Sequence, residues 1–439
     1  MLVLAGRVIL NFESEIISPE ILRGFFISFR RYILHSLVFF LLIFWGCNPQ
    51  VPKPPGMSEN EVEPQIKVCL DENLSRAMLS FKGEYILRAE EAIYYFDASI
   101  GKLEVYRKNQ SLVFSNNMRF FEFSAGKIVD INPTEPSGSF IWNDVQYSGG
   151  LEIVNNSDKA MVINVLPMET YLRGVVPFEI PTGQDEYREA VYAQTIAART
   201  YSLYRMDHPL DKYFHVYDDV RDQVYNGLKK TSDLADEAVK NTSGAVLMDG
   251  KMPAFTQYHS TCGGVLQDSL PSTRKDMIQS NYNCALSPLF RWLEIRSAET
   301  IFSNLAKEFN IDPAKRDKLI NSGFQFDISI KDRNSNGRVS SMEIEIQGKK
   351  FTANGYKIRK ILSDDNGNPL PSNLFFILKP EQNENKFYII GAGYGHGKGM
   401  CQWGALGMSL EGYSHQQILK FYYPSFNLKT IYTKQRWLF

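Results

Sequence analysis

Glu179 is the residue whose surroundings best suit acid–base chemistry. It lies in the segment VVPFEIP at residues 175–181, where two prolines stiffen the backbone around one acid set among apolar neighbours. A carboxyl in such surroundings keeps its proton to higher pH because burial disfavours the charged form, and a carboxyl that is protonated near neutral pH can act as a general acid. The alternative is structural, with Glu179 capping a helix or pairing with Arg173 or Arg199.

A run of alternating glycines near the C-terminus carries a second set of polar groups. If this run is extended, one face is bare for close packing, and the other face carries Tyr394, His396, Lys398 and Met400. His396 can donate or accept a hydrogen bond at neutral pH, and Lys398 adds a cation. The pattern predicts a polar contact site, although His396 could simply bond to a nearby carbonyl. The glycines stand at positions 391, 393, 395, 397 and 399.

The segment YHSTCGG at residues 258–264 combines hydroxyl groups with a tight backbone. The adjacent Gly263 and Gly264 allow another chain segment to approach closely. Ser260 and Thr261 could serve as hydroxyl donors to a ligand. No base stands at a familiar spacing from either residue, so neither is predicted to be a hydrolase nucleophile.

The cysteines leave several alternatives open. After residue 47 the chain has Cys69, Cys262, Cys284 and Cys401, and four cysteines allow three pairings among which sequence cannot choose. A metal site formed by His259, Cys262 and Cys284 is the weaker hypothesis because no tight Cys-x-x-Cys pair is present. No metal site is therefore predicted. A Cys–His protease involving Cys401 is also disfavoured, since no Asn or Asp orienter is evident.

Two helices are predicted around Glu179. A short helical opening begins at residues 167–169, where a proline and an acid suit the first turn of a helix. A long helix starts near Asp185 and repeats Ala190, Ala193 and Ala197 along one face. Alanines at that spacing let another element approach closely. Short alternating or β-branched runs predict strands in most of the remaining chain, so the fold class is α+β, strand-rich, with mixed β-sheets and a few packed helices.

Composition limits the classes of function. The chain has 439 residues, of which 44% are hydrophobic and 22% charged, so it has ample material for a core and for more than one structural unit. The net charge of −1 provides no basic patch, so no nucleic-acid partner is predicted.

The N-terminal residues indicate export. Arg30 and Arg31 precede a nearly all-apolar run at residues 33–45, which is typical of a secretory signal and too short for a confident membrane span. Gly46 and Cys47 resemble a bacterial lipoprotein cleavage site, which predicts a signal peptide at residues 1–46 and a lipid on Cys47. An uncleaved anchor is the alternative. Either predicts an extracytoplasmic chain held at a membrane.

The remaining chain divides into three predicted regions. Residues 47–65 have the proline-rich composition of a tether. Residues 66–149 predict an antiparallel β-rich unit, in which Trp142 and Tyr147 either pack the sheet or contact a sugar. Residues 150–428 form the main domain, with a β-rich insertion at about 298–380.

Six motifs follow one another along the chain. They are LPMETYLRGVVPFEIP (166–181), EAVYAQTIAARTYSL (189–203), DVRDQVYNG (219–227), YHSTCGG (258–264), SPLFRW (287–292) and GYGHGKGMCQWGA (393–405). Several separate motifs in a fixed order are more specific than any single short pattern. In this order they resemble the stage II sporulation protein D and amidase-enhancer family, and the resemblance covers about residues 145–425.

The resemblance implies a role in peptidoglycan cleavage. Family members include lytic transglycosylases that cut glycan strands stripped of their stem peptides and leave anhydro-muramic ends. One carboxylate suffices for that reaction, whereas ordinary glycoside hydrolysis usually uses two. Other members enhance a peptidoglycan amidase, so the alternative is a glycan-binding, non-catalytic enhancer. The implied partners are glycan strands and a cell-wall amidase, and no cofactor is implied.

The resemblance also implies roles for individual residues. Glu179 takes the role of catalytic acid and base, with His396 and Gln402 opposite it in a substrate groove. Cys262 and Cys284 stand where many extracytoplasmic relatives carry cysteines, which implies a disulfide that contributes about 3 kcal/mol. The remaining implied substrate-binding residues are Arg199, Gln223, Tyr225, His259, Ser260, Thr261, Gly263, Gly264 and Tyr394.

Two positions depart from the family pattern. Some relatives hold a metal through two cysteines near positions 216 and 222, where this chain has Val216 and Asp222, so a zinc site is not carried over. Cys401 stands where relatives usually have serine.

Overall fold

The structure is a computed structural model that describes residues 62–89, 92–156, 158–266, 282–312, 314, 326–346, 348–378 and 386–432. The predicted signal peptide, Cys47 and most of the predicted tether lie outside these residues. The described residues contain seven α-helices and 24 strands in several sheets. Both parallel and antiparallel strand pairs occur, so the α+β, strand-rich prediction is confirmed.

The first twelve strands follow one another with only a single 3₁₀ turn among them. They are β1 (Gln65–Asp71), β2 (Arg76–Lys82), β3 (Tyr85–Ala89), β4 (Ala92–Phe96), β5 (Leu103–Lys108), β6 (Ser111–Ser115), β7 (Phe120–Phe123), β8 (Lys127–Pro133), β9 (Ser139–Trp142), β10 (Val145–Ser148), β11 (Gly150–Asn155) and β12 (Ala160–Pro167).

Helices and short strands alternate in the central part of the chain. They are α1 (Met168–Glu179), α2 (Arg188–Asp207), β13 (Val216–Tyr217), α3 (Asp233–Asn241), β14 (Ala245–Asp249), β15 (Met252–Pro253) and β16 (Tyr258–His259). The C-terminal part continues with β17 (Trp292–Ser297), α4 (Ala298–Glu308), β18 (Phe326–Arg333), β19 (Val339–Ile346), β20 (Lys349–Asn354), α5 (Tyr356–Ile361), β21 (Phe375–Leu378), β22 (Lys386–Gly391), β23 (Met400–Cys401), α6 (Gln402–Leu410), α7 (His415–Tyr422) and β24 (Asn427–Thr430).

Two large sheets organise the N-terminal half. A seven-stranded sheet has the order β13-β1-β12-β11-β8-β3-β4, and a six-stranded sheet has the order β10-β9-β2-β5-β6-β7. In β2 and β3 buried and more exposed residues alternate, as expected for strands with one face on a core. Trp142 and Tyr147 are both buried, so they pack in the interior. One hydrophobic cluster runs from these sheets into α1, α2, α3, α6 and α7.

Helix α2 lies at the centre of the helical layer. Its face of Ala190, Ala193 and Ala197 is fully buried, and the helix packs against α1, α3, α6, α7 and β14. Small side chains on that face allow these elements to approach closely. A second hydrophobic cluster joins β17 and β22 to α4, α5 and the β18–β20 sheet, which gives the region of the predicted insertion its own core.

Candidate functional site

Glu179 is the last residue of α1 and is held by two hydrogen bonds. Its Oε1 accepts from the backbone N–H of Val224 at 2.8 Å, and its Oε2 accepts from Nε2 of Gln402 at 3.2 Å. The residue is partly exposed to solvent, while Val175 and Val176 in the preceding turn are buried. The carboxyl therefore sits at the edge of the core with one side chain donor and one backbone donor.

Burial raises the pKa of Glu179 above its ordinary value, although the hydrogen bonds from Val224 and Gln402 lower it. The negative end of α1 acts in the same direction as burial. Among the described residues no ion pair with Lys, Arg or His involves Glu179. The arrangement therefore shifts Glu179 towards its protonated form relative to a carboxyl in water.

The alternative in which Glu179 pairs with Arg173 or Arg199 is wrong. Arg173 pairs with Asp236 at 2.5 Å, and Arg199 pairs with Glu169 at 2.6 Å. Because both arginines are bound to other acids, neither neutralises Glu179.

A buried polar network supports the loop that carries Val224. The Oε1 atom of Gln223 accepts from the hydroxyl groups of Tyr171 and Ser202 at 2.9 and 2.7 Å. Its Nε2 donates to the Tyr258 hydroxyl oxygen at 2.9 Å. Since Gln223 has no solvent exposure, it positions the neighbouring N–H group of Val224 from within the protein.

Sequence analysis missed Tyr258 and Val224 as contributors to the site. Tyr258 stands in a segment that the motifs singled out, so its residue type was available as a signal. Val224 contributes only its backbone N–H. No residue type could have revealed that contribution.

Several of the expected substrate-binding residues are interior residues instead, and Gln223, His259 and Gln402 have 0%, 4% and 6% exposure. Arg199, Tyr225 and Thr261 have 0%, 2% and 0% exposure. The Tyr225 hydroxyl donates to Asn164, and Thr261 shares a 2.6 Å hydrogen bond with Ser287. Arg199 forms a bidentate pair with Glu169. Because the polar groups of Arg199, Tyr225 and Thr261 already have protein partners, these three residues support the site from within and do not line a surface in this structure.

The glycine run is not extended, so the predicted two-faced strand is wrong. Gly393, Gly395, Gly397 and Gly399 all have positive φ, between 64° and 102°, which residues with side chains rarely adopt. A Cβ on Gly399 would lie 1.8 Å from the Gln257 carbonyl oxygen. The glycines are therefore needed for a looped path close to neighbouring backbone.

This loop lies against the segment 258–264. Thr261 and Tyr394 exchange two backbone hydrogen bonds of 3.0 and 2.8 Å, and β16 pairs with β23 so that His259 stands opposite Cys401. Gly263 packs against Ala392, while Gly264 and Ser260 are partly exposed. The Ser260 carbonyl accepts from the N–H of Trp403 at 3.0 Å. The two predicted loops are thus brought together.

His259 and His396 are neighbours with different environments. Their ring centroids are 5.5 Å apart, and Nδ1 of His259 lies 2.9 Å from the Lys398 carbonyl oxygen. His259 is buried, whereas much of His396 and of Tyr394 is exposed. Partial removal from water, with the charge of Lys398, lowers the pKa of His396 to about 4. His396 is therefore neutral at pH 7.

Three cysteines converge beside these loops. The sulfurs of Cys262 and Cys284 are 3.4 Å apart, and Cys401 completes a group whose sulfurs all lie within 4.8 Å of one another. All three are thiols in this structure, and the disulfide between Cys262 and Cys284 stays a prediction. Cys69 lies in a different hydrophobic cluster.

Two family models match adjoining parts of the chain. A family model described as Stage II sporulation protein matches residues 156–248, and a model described as a domain of unknown function (DUF8618) matches residues 248–399.

Each helix that the structure describes is either too short or too polar to span a lipid bilayer.

Two relatives cover more than half of the chain. An uncharacterized protein of Brachyspira hyodysenteriae is 31% identical over 298 residues, which are 66% of this chain and 74% of the relative. The amidase enhancer of Bacillus subtilis is 29% identical over 297 residues, which are 58% of this chain and 40% of that protein. With the matching family model, these similarities show that the chain belongs to the stage II sporulation protein D and amidase-enhancer family.

Proposed function

We propose that this protein is a lytic transglycosylase that cleaves peptide-stripped glycan strands of peptidoglycan, with Glu179 as its acid and base. The observation that carries the proposal is the partly exposed Glu179 carboxyl, which has two hydrogen-bond donors, no cationic partner among the described residues and a raised pKa. Family membership supports a peptidoglycan-related role.

One carboxyl is enough for this chemistry. Protonated Glu179 gives its proton to the glycosidic oxygen as the bond from that oxygen to the anomeric carbon of the muramic acid breaks. The primary hydroxyl of the same sugar then attacks the anomeric carbon and closes the anhydro ring, and Glu179 takes the hydroxyl proton. The carboxyl ends the cycle in its starting state, and no water is consumed.

Glu169, the other acid of α1, does not supply a second catalytic carboxylate. Glu169 is buried, and it bonds to Arg199, Tyr432 and the backbone N–H of Gly244. Hydrolysis through a glycosidase pair would require a second carboxyl about 5–10 Å away, free to act on water or sugar. The bound state of Glu169 therefore favours the single-carboxyl reaction.

The loops beside Glu179 supply groups suited to sugar recognition. Gln402 faces the carboxyl, and the exposed Tyr394 and the neutral His396 lie on the adjacent loop. The proposed setting is extracytoplasmic, with the chain anchored to a membrane through a lipid on Cys47.

The experiment incubates the purified full-length protein with peptide-free glycan strands and identifies the ends formed by mass spectrometry. Glu179→Gln should lower cleavage by about 10²–10⁴-fold, the usual contribution of a general acid. The matched control is Glu186→Gln, which removes an exposed acid near the start of α2. Anhydro-muramic ends formed by the unmutated protein and by the control support the proposal. Reducing ends would show that the protein hydrolyses the strands, which would contradict the proposal.

The second candidate is an enhancer of a cell-wall amidase, which the similarity to the amidase enhancer of Bacillus subtilis favours. An enhancer holds glycan and presents the amidase without using Glu179 as an acid. In the same assay the strands would then be retained without cleavage. Added amidase would be stimulated equally by the unmutated protein and by Glu179→Gln.

A further inference from the structure

The three converging cysteines form a site that the proposed glycan chemistry does not use. Cys262, Cys284 and Cys401 have at most 1% exposure, and their sulfurs lie within 4.8 Å of one another. They come from three separate places, namely the loop after β16, the 3₁₀ turn Tyr282–Leu286 and the start of α6. Folding therefore brings together three thiols that are far apart in sequence.

Backbone N–H groups point at one of these sulfurs. The Sγ atom of Cys401 accepts from the N–H of Cys262 at 3.2 Å and from that of Gly404 at 3.3 Å. Cys401 is also the residue that caps the N-terminus of α6. Such donors and the positive end of a helix stabilise a thiolate, which is the form of cysteine that binds metals.

A buried arginine supplies the matching charge. Arg338 has 3% exposure, and its Nη2 donates to the carbonyl oxygens of Cys262 and Val265 at 2.9 and 3.1 Å. Its Nε and Nη1 atoms are buried without a hydrogen-bond partner in the part of the chain that the structure describes. Because a buried cation is costly unless an anion compensates it, this guanidinium favours negative charge in the segment whose Cys262 carbonyl it binds.

We propose that Cys262, Cys284 and Cys401 bind one Zn²⁺ ion as thiolates, with a water molecule in the fourth position. Three thiolates and Zn²⁺ carry a net charge of −1, which the single charge of Arg338 balances. Tetrahedral zinc with Zn–S bonds of about 2.3 Å has sulfurs separated by about 3.8 Å. This separation falls between the 3.4 Å pair and the 4.8 Å limit of the cluster. Thiolate ligands select soft or borderline ions.

The zinc site accounts for more of the structure than a disulfide does. A bond between Cys262 and Cys284 would use two of the three thiols and would leave the Cys401 sulfur, with its two N–H donors, outside the link. It would also remove the negative charge that Arg338 requires. The site differs from the metal alternative considered in the sequence, because Cys401, and not His259, lies with Cys262 and Cys284 in the cluster of possible ligands.

The site would fix the position of Gln402. This residue directly follows Cys401 and donates to Glu179, so a metal that ties Cys401 to the two other segments would hold the Gln402 amide in place. The inference itself does not depend on the activity of Glu179.

The test is to purify the full-length protein under reducing, oxygen-free conditions and measure its zinc by mass spectrometry. We expect one zinc ion per chain in the unmutated protein. The zinc content of Cys401→Ser and of Cys284→Ser should be at least tenfold lower. The matched control Cys69→Ser removes a buried cysteine outside the cluster and should retain the zinc.

X-ray absorption spectroscopy of the unmutated protein identifies the zinc ligands directly, so this test does not depend on the folding of the variants. It should show three sulfur neighbours at about 2.3 Å from zinc. Three outcomes would overturn the proposal: no zinc bound after addition of zinc to the reduced protein, zinc that stays in both cluster variants, or a native protein isolated with a Cys262–Cys284 disulfide that binds none. Preference for Cu⁺ over Zn²⁺ would overturn the choice of metal.

Discussion

At the scale of single residues, the distinguishing feature of Glu179 is that it has no cationic partner among the described residues. Its carboxyl has two hydrogen-bond donors but no cation among the described residues, so burial dominates and its pKa is raised. Many buried carboxyls are instead paired with arginine, as Glu169 is here. These two acids of one helix therefore differ in their partners, and only Glu179 is without a cation among the described residues.

This difference predicts how stability depends on pH. Because the pKa of Glu179 is higher in the folded protein than its ordinary value of 4.5, its favourable contribution to folding is complete below about pH 4.5 and is lost as pH rises through the raised value. Above that value the ionised carboxyl destabilises the fold. Glu179→Gln should therefore raise the melting temperature at pH 8 relative to the unmutated protein, and this gain should shrink towards pH 4.

Differential scanning calorimetry between about pH 4 and pH 8 measures this gain. Glu186→Gln controls for the loss of one negative charge at an exposed position. A gain for Glu179→Gln that is the same at both ends of the range would contradict the prediction.

At the scale of elements, a buried ion pair joins the helices that carry the site. Arg199 of α2 forms hydrogen bonds of 2.9 and 2.6 Å with Glu169 of α1, and it also donates to the Ala245 carbonyl at 3.1 Å. Tyr432, near the C-terminal end of the described residues, donates to the same carboxylate. This pair connects α1 and α2 to the start of β14.

Removing one partner of this pair should be strongly destabilising. Arg199→Met leaves Glu169 buried without its cation, which costs about 3–5 kcal/mol. Arg173→Met breaks the pair with Asp236, whose side chains are 53% and 36% exposed, and should cost less than about 1 kcal/mol. Urea unfolding compares the two variants. Equal losses would mean that Arg199 does not have the structural role assigned to it here.

At the scale of the whole molecule, the N-terminal strands and the motif-bearing region share a core. Strand β1 pairs with β12 over most of its length, and one hydrophobic cluster includes residues of both regions. The family model begins only at residue 156. The segment that the family model matches therefore does not include the N-terminal strands that pack against it.

A chain that starts at residue 150 should consequently fail to fold. It loses β1 and β8, which are the hydrogen-bonded neighbours of β12 and β11 in the seven-stranded sheet. A chain that starts at Ser58 retains all described elements and should melt cooperatively. Circular dichroism and limited proteolysis distinguish the two. Cooperative melting of the shorter chain would show that residues 150–428 are an independent domain.

Sequence reasoning predicted the features that depend on local interactions and failed for features that depend on contacts between distant residues. The long helix, its alanine face and most strands follow from local periodicity, and the structure has them near the predicted positions. The glycine run was misjudged because alternation alone does not report φ, and four of its glycines adopt positive values. Arg199 was expected to contact a ligand because the family resemblance implied that role, but its partner is an acid 30 residues away.

By itself, the sequence determined the α+β class, the family and Glu179 as the leading acid, because periodicity, motif order and apolar flanking residues are local properties of the chain. Only the tertiary structure decided the partners of that acid. Gln402 lies 223 residues from Glu179, and Val224 offers a backbone group that has no sequence signature. The gathering of Cys262, Cys284 and Cys401 beside Arg338 was likewise decided by packing. Charge pairing and burial depend on distances in space, which the order of residues does not specify.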